Sequence, residues 1–286
     1  MCPYHEKESI CCLFREASPG SSYLIQVDSG MELYQAKLID PPAKHEKVIE
    51  ISQLKKAFGD KKVLKGFDME LNRAENLVIL GRSGSGKTVL TKCIVGLLKP
   101  DSGILRVLGQ DIVDLSTREL DELRRKVGFL FQGSALYDSM TVRENLEFPL
   151  RHIHRQITEH EVDELVEEML ESVGLQHTVD LMPAELSGGM KKRIALARTL
   201  IMKPEIIIYD EPTGGLDPIT AKEISHLILE MQEKYQTSSL IISHDLVCTE
   251  IIANQVVVLI DGVNYASGTF QELFDHKDPE VRAFFH

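Results

Sequence analysis

Two short runs in this 286-residue chain have the residue types and spacing for phosphate chemistry. The first is GRSGSGKT, residues 81–88, which fits G-x-x-x-x-G-K-[ST]. It follows an apolar strand pattern and opens a helical one, the context this motif needs. Gly81, Gly84 and Gly86 let the backbone wrap a phosphate with no Cβ in the way, with Arg82, Ser83 and Ser85 filling the turn between them. Lys87 brings a point charge to a β- or γ-phosphate, and Thr88 offers a hydroxyl to Mg2+. The second run is IIIYDE. Its apolar strand delivers Asp210 at the C-terminal end, where ligands of open α/β sheets gather. Asp210 suits a magnesium shell, reached through water. Glu211 follows at once and points elsewhere, well placed to orient or deprotonate an attacking water.

A third run poses a question. LSGGMKKRIALARTL, residues 186–200, opens with a serine and two glycines and continues as a basic helical pattern. Small residues at a helix start leave backbone N–H groups open, a site for an anion. One chain thus carries two candidate phosphate sites.

The surrounding pattern indicates how these runs are held. VIEISQLKKAF and KKVLKGFDMEL alternate like an antiparallel pair of strands. NLVIL, VGFLF, EIIIYD and SSLIIS are short continuous apolar strands, and KTVLTKCIVGLL reads as a helix that stops before Lys99-Pro100. Buried strands alternating with helices indicate a mainly parallel sheet covered on both faces. Between Gly133 and Glu185 the character turns helical. In EHEVDELVEEMLESVG, Val162, Leu165, Val166, Met169 and Leu170 form one apolar stripe on an acidic helix, whose acidic face reads as solvated. VVVLIDGVNYAS reads as a hairpin turning at Asp261-Gly262. Residues 1–46 differ: EASPGSS and DPPAKHEK read as linker around the strand-like SYLIQV. Two readings stand for this part, a flexible extension or a segment that adds a strand or binds a partner. Met31 is a possible alternative start.

Bulk properties narrow the function. The formal net charge of −12 argues against a general polyanion-binding role, and no nucleic-acid partner is expected. The five cysteines, Cys2, Cys11, Cys12, Cys93 and Cys248, fit no zinc spacing, and a reduced cytosolic compartment is the simplest reading. The histidines of RHIHR read as solvated. No apolar run approaches the roughly 20 residues of a membrane span, and MCPYHEKESI is not a secretory signal. Service to a membrane would go through a partner.

From about residue 47 onward, more than four fifths of the chain, the sequence resembles an ABC-type ATPase domain. The marks arrive in the family's order. Phe58 matches the aromatic that stacks on adenine. Gln132 in LFQGS matches the glutamine that senses the γ-phosphate and magnesium. LSGGM matches the signature usually written LSGGQ. DEPTGGLDP matches the catalytic carboxylate and the loop after it, with Asp217 as that loop's aspartate. His244 in IISHD matches the histidine that contacts the γ-phosphate.

The resemblance implies a fold class and a set of roles. The fold is α/β, a P-loop NTPase of ABC type: a mainly parallel core sheet, an antiparallel β subdomain and an inserted α-helical subdomain at about 133–200. The ATPase domain would span 47–286 after the extension. Catalysis would fall to Glu211, His244 and Gln132. ATP would be held by Phe58, the loop from Gly81 to Thr88 and Asp210, and Mg2+ by Thr88, Gln132 and Asp210. Ser187, Gly188, Gly189 and Asp217 would contact an ATP seated on a second copy of the chain, which answers the question of the second phosphate site.

Two departures point further. Met190 replaces the usual signature glutamine, and GGLD carries a glycine where serine or alanine is commoner. With FQGSALYDSMTVRENLEFPL, these resemble the ATPases of Mla/Mce-type lipid transporters of the bacterial envelope. The implied partners are an integral membrane permease, an Mce-domain subunit and accessory lipid-binding subunits. The implied place is the cytoplasmic face of the inner membrane, peripheral through the permease. Leu136, Tyr137, Met140, Leu146 and Phe148 would either line a groove for a permease helix or pack in the core. The chain stops at VRAFFH, soon after its last helical pattern, which puts a tail-mediated contact between subunits in doubt. Other readings are an ABC ATPase for an amino acid or lipoprotein, a non-transport ABC protein and a nucleotide-dependent assembly switch.

Overall fold

The computed structural model of the chain describes residues 46–153 and 156–285. SYLIQV, Met31, Cys2, Cys11, Cys12 and His154 lie outside them. In chain order the first elements are β1 (Lys47–Phe58), β2 (Lys61–Asn72), β3 (Asn76–Gly81), α1 (Lys87–Ile94), β4 (Ser102–Val107), β5 (Gln110–Asp111), α2 (Thr117–Arg124) and β6 (Val127–Leu130). Then come α3 (Val142–Ile153), α4 (Glu159–Ser172), α5 (Gly188–Leu200), β7 (Ile206–Asp210), α6 (Pro218–Tyr235), β8 (Ser238–Ser243) and α7 (Leu246–Ile252). β9 (Gln255–Ile260), β10 (Val263–Gly268), α8 (Phe270–Phe274) and α9 (Pro279–Arg282) complete the order.

The strands form two sheets. The smaller, in order β2-β1-β4-β5, is antiparallel. The larger runs β10-β9-β3-β8-β7-β6, parallel except for the hairpin partner β10. That hairpin turns at Asp261-Gly262 with φ of 49° and 79°, both in the left-handed region that a type I′ turn demands.

The continuous apolar strands follow from a sheet covered on both faces. Alternate residues feed opposite cores. Val78, Leu80, Ile207, Tyr209, Ile241 and Val258 point into a core shared with the helices α3 to α7. Leu77, Ile79, Ile206, Ile208, Leu240 and Ile242 point into a second core, shared with α1 and the antiparallel sheet. In α4, Val162, Val166, Met169 and Leu170 are buried as the stripe predicts, with Leu165 at its margin.

One element differs from its sequence reading. α1 ends at Ile94 rather than running to Leu98. Gly96 adopts φ of +67°, and Leu97 N–H donates to Lys92 O while Gly96 N–H donates to Cys93 O. This is a Schellman stop, which closes the helix before the proline can. Among the described residues no helix is long and apolar enough to cross a membrane.

Candidate functional site

The phosphate loop leaves β3 at Gly81 and enters α1 at Lys87. Gly86, the residue before the helix, has φ of +114°, a conformation that excludes residues with a Cβ. A Cβ on Gly81 would stand 2.6 Å from Ser85 Oγ and 3.0 Å from Leu259 O. Lys87 Nζ donates to Gly81 O at 2.5 Å and Arg82 O at 3.1 Å, so the ammonium lies across its own loop. Burial lowers the Lys87 pKa, while the Glu211 and Asp210 carboxylates act to raise it.

Asp210 ends β7, half-buried. Burial raises its carboxyl pKa and Glu211 adds to that, against the opposing pull of Lys87 and Lys192. A bound cation would relieve this strain on the charged form. Glu211 sits just past the strand with φ of 50°. A non-glycine residue held there stores roughly 1–3 kcal/mol, a feature typical of active sites. Its backbone is pinned on both sides: Glu211 N–H donates to Ile242 O at 2.9 Å and Gly214 N–H donates to Glu211 O at 3.0 Å. The Glu211 side chain is 13% exposed, and its Oε2 lies 2.7 Å from Nδ1 of His244, which is 72% exposed. The contact is close, yet among the described residues this buried oxygen has no hydrogen-bond partner.

Tertiary structure collects these residues in one open cleft of about 870 Å³. Phe58, Gly81, Arg82, Ser83, Gly84, Gly86, Lys87, Thr88, Gln132, Asp210, Glu211 and His244 line it. Phe58 reaches it from the end of β1, 48% exposed, with Lys56 Nζ 5.5 Å from its ring centre. Ser85 stands behind the loop, its buried hydroxyl without a partner among the described residues.

Ser187, Gly188, Gly189 and Asp217 do not line this cleft. Ser187 caps α5 by accepting the Met190 N–H at 3.2 Å, so part of the open helix end is closed by the serine itself. Asp217 caps α6, accepting from Ile219 N–H, Thr220 N–H and the Thr220 hydroxyl. Those bonds, the hydroxyl's first, hold its pKa low. Ser187, Gly188 and Asp217 remain exposed on the surface. Met190 packs against the helical core, a packing role for the departure from glutamine.

Sequence reasoning missed two cations on α5. Lys192 is buried and donates from Nζ to Gln132 O at 2.5 Å and to Glu211 O at 3.4 Å. Arg198 donates to Ala135 O at 2.8 Å and Ser134 O at 3.3 Å, holding two non-glycine residues with φ of 48° and 62°. In the sequence both belong to a basic helical run, with nothing to mark which cations face inward. Arg198 also lies 5.6 Å from the Tyr137 ring. Tyr137, Phe148 and His152 line a groove of about 300 Å³ beside it, with the Tyr137 and Phe148 ring centres 4.9 Å apart. Leu146, expected at either groove or core, is fully buried and belongs to the core.

The phosphate loop, the strand-end carboxylates and the two-sheet fold together define an ATP-hydrolysing cassette. The ABC transporter family model matches residues 64–214, and the chain belongs to the ABC transporter ATPases. It is 37% identical to the intermembrane phospholipid transport system ATP-binding protein MlaF of Haemophilus influenzae, over 84% of this chain and 90% of that one. It is 35% identical to the methionine import ATP-binding protein MetN of Clostridium tetani, over 82% of this chain and 73% of that one. Among solved structures, a dimeric ATP-binding cassette in a post-hydrolysis state with ADP and Pi matches with a TM-score of 0.70 and 29% identity, over 78% of this chain and 98% of that one.

Proposed function

We propose that this chain is the ATPase subunit of an ABC transporter that moves phospholipids or related lipids, working as a head-to-tail pair of copies beneath a membrane permease. The observation that carries the paired arrangement is the separation within one chain. The signature residues Ser187 and Gly188 are exposed and lie outside the cleft that holds the phosphate loop. A second copy facing this one would bring its signature to the open mouth of the cleft, and a solved relative of this fold is a dimer with ADP and Pi. The exposed aromatic groove at Tyr137 and Phe148 suits a short apolar helix of a permease. MlaF among the relatives favours lipid over amino acid, with Met190 and GGLD as further support. An Mce-domain subunit and a place on the cytoplasmic face of the inner membrane belong to the same reading.

Within the cleft, each residue has a task. Phe58 stacks on the adenine, Lys87 and the loop N–H groups hold the phosphates, and Thr88, Gln132 and Asp210 would hold Mg2+. Hydroxyl, amide carbonyl and carboxylate form a hard oxygen set that fits this ion, which would supply charge stabilisation to the phosphates. Glu211 takes the proton of the attacking water through its unpartnered Oε2. His244 lies beside that oxygen and lines the cleft, where it would contact the γ-phosphate.

Phe58→Ala weakens ATP binding by about tenfold or more, since base–aromatic stacking is worth roughly 1–3 kcal/mol. Phe58→Tyr keeps it. A fluorescent-nucleotide titration checks both, and unchanged affinity in the alanine variant would assign the base to another residue. For the cargo, the protein purified from detergent-solubilised membranes of its host co-elutes with a permease and an Mce-domain subunit. Co-elution with an amino-acid-binding subunit in their place moves the chain to the amino-acid importers.

A further inference from the structure

Lys192 is 5% exposed. Lysines are rarely buried without a charged partner; among the described residues no carboxylate forms an ion pair with this one, those of Asp210 and Glu211 acting on it from a distance, and its hydrogen bonds go to two backbone carbonyls. The same pocket wall in an ordinary helix would take an apolar side chain at no desolvation cost. The acceptors are not arbitrary. One is the carbonyl of Gln132, 60 residues away in sequence. The other is the carbonyl of Glu211, 19 residues away. Both residues line the cleft, and Glu211 is the one held in a left-handed backbone. Lys192 itself sits on the second turn of α5, whose first turn carries Gly188 and Gly189.

We propose that Lys192 is a positioning residue that ties the signature end of α5 to Glu211 and Gln132 of the same chain. The inference rests on the shared-site reading above and deepens it. Contact at Ser187 and Gly188 with the other copy's nucleotide shifts or steadies the start of α5. Lys192 passes that displacement to two carbonyls, and each carbonyl belongs to a residue whose side chain faces this chain's own ATP. Engagement of one site thereby sets the hydrolytic geometry of the other. Arg198 marks the contrast: it is on the same helix and also holds backbone carbonyls, but those of Ser134 and Ala135, away from Glu211.

The test uses the full chain with Lys192→Met, which keeps length and loses the donors, and Lys192→Arg, which keeps donors and charge. Lys192→Met is expected to lower kcat by about 10²-fold, the scale set by a misplaced catalytic group of about 1 Å, with KM for ATP and Tm near the parent's. Lys192→Arg is expected to recover most of that loss. With Glu211→Gln added, Lys192→Met still forms the ATP-driven dimer, because the link acts after association. The proposal is overturned if Lys192→Met turns over at the parental kcat. It is also overturned if kcat, nucleotide affinity and Tm fall together and Lys192→Arg is equally damaged, the pattern of a purely structural role. A Glu211→Gln parent that stays monomeric with ATP would count against the shared site, while the comparison of Met and Arg still decides what Lys192 does in its own chain.

Discussion

Glu211→Gln binds ATP as tightly as the parent and hydrolyses it on the order of 10²–10⁴-fold more slowly, the usual cost of removing a general base. The amide has the size of the carboxylate and keeps an oxygen beside His244, so the cleft keeps its shape. It cannot take a proton from water. The structure makes the expectation specific: Oε2 is buried, has no hydrogen-bond partner among the described residues and therefore has a lone pair free. Lys87 keeps its bonds to the loop carbonyls of Gly81 and Arg82, so affinity is preserved. Because the variant does not consume its nucleotide, it accumulates as an ATP-bound dimer, read by light scattering. Turnover at the parental rate would move the base elsewhere, with His244, 2.7 Å from that oxygen, as the next candidate.

Gly188→Asp is expected to separate binding from association. A carboxylate at the signature would meet the phosphates across the pair at short range, where like-charge juxtaposition costs several kcal/mol. The site tolerates the substitution within one chain. Among the described residues a Cβ on Gly188 would contact only Leu216 Cδ2, at an ordinary 3.5 Å. Position 188 is the first of α5, which has no acidic residue in its first turn, and an acid there favours the helix dipole. Gly189 is the worse probe: its Cβ would stand 2.7 Å from Thr220 Cγ2, and the Thr220 hydroxyl is held by Asp217 at 2.6 Å. Gly188→Asp thus melts near the parent's Tm and binds ATP on its own loop within about twofold, but neither dimerises nor turns over at more than about 1% of the parental rate. Added to Glu211→Gln, it returns the trapped dimer to monomer. A Gly188→Asp protein that is monomeric and hydrolyses ATP at full rate would show that a single chain completes the site.

The expected losses differ in kind. Glu211→Gln removes a proton acceptor after the site has formed, whereas Gly188→Asp stops the second copy from arriving. Lys192→Met falls between them, leaving the pair assembled but with its carboxylate poorly aimed. Measuring dimerisation and kcat on the same preparations therefore sorts all three.

The sequence by itself determined the phosphate loop, the strand that carries Asp210 and Glu211, and the signature. Each of these is a contiguous run in which the chemistry dictates residue type: glycines at 81, 84 and 86 for a backbone that must close on phosphate, and a lysine and hydroxyl at the helix start. It also determined the two-faced sheet, because burial on both sides leaves an unbroken apolar run such as NLVIL, and the I′ hairpin, because few residues but Asp-Gly accept two positive φ values. Only tertiary structure decided which side of each helix faces inward. Leu146 and Phe148 are two residues apart on α3, yet one is fully buried and the other exposed. Lys191 and Lys192 are adjacent on α5, yet only the second reaches the site, since neighbouring positions on a helix are rotated by about 100°. The pairing of Glu211 with His244 and the approach of Phe58 depend on strand order and on how the antiparallel sheet meets the loop. Those are contacts between segments distant in sequence. Spacing along the chain carries no record of them, because they arise from packing two cores at once.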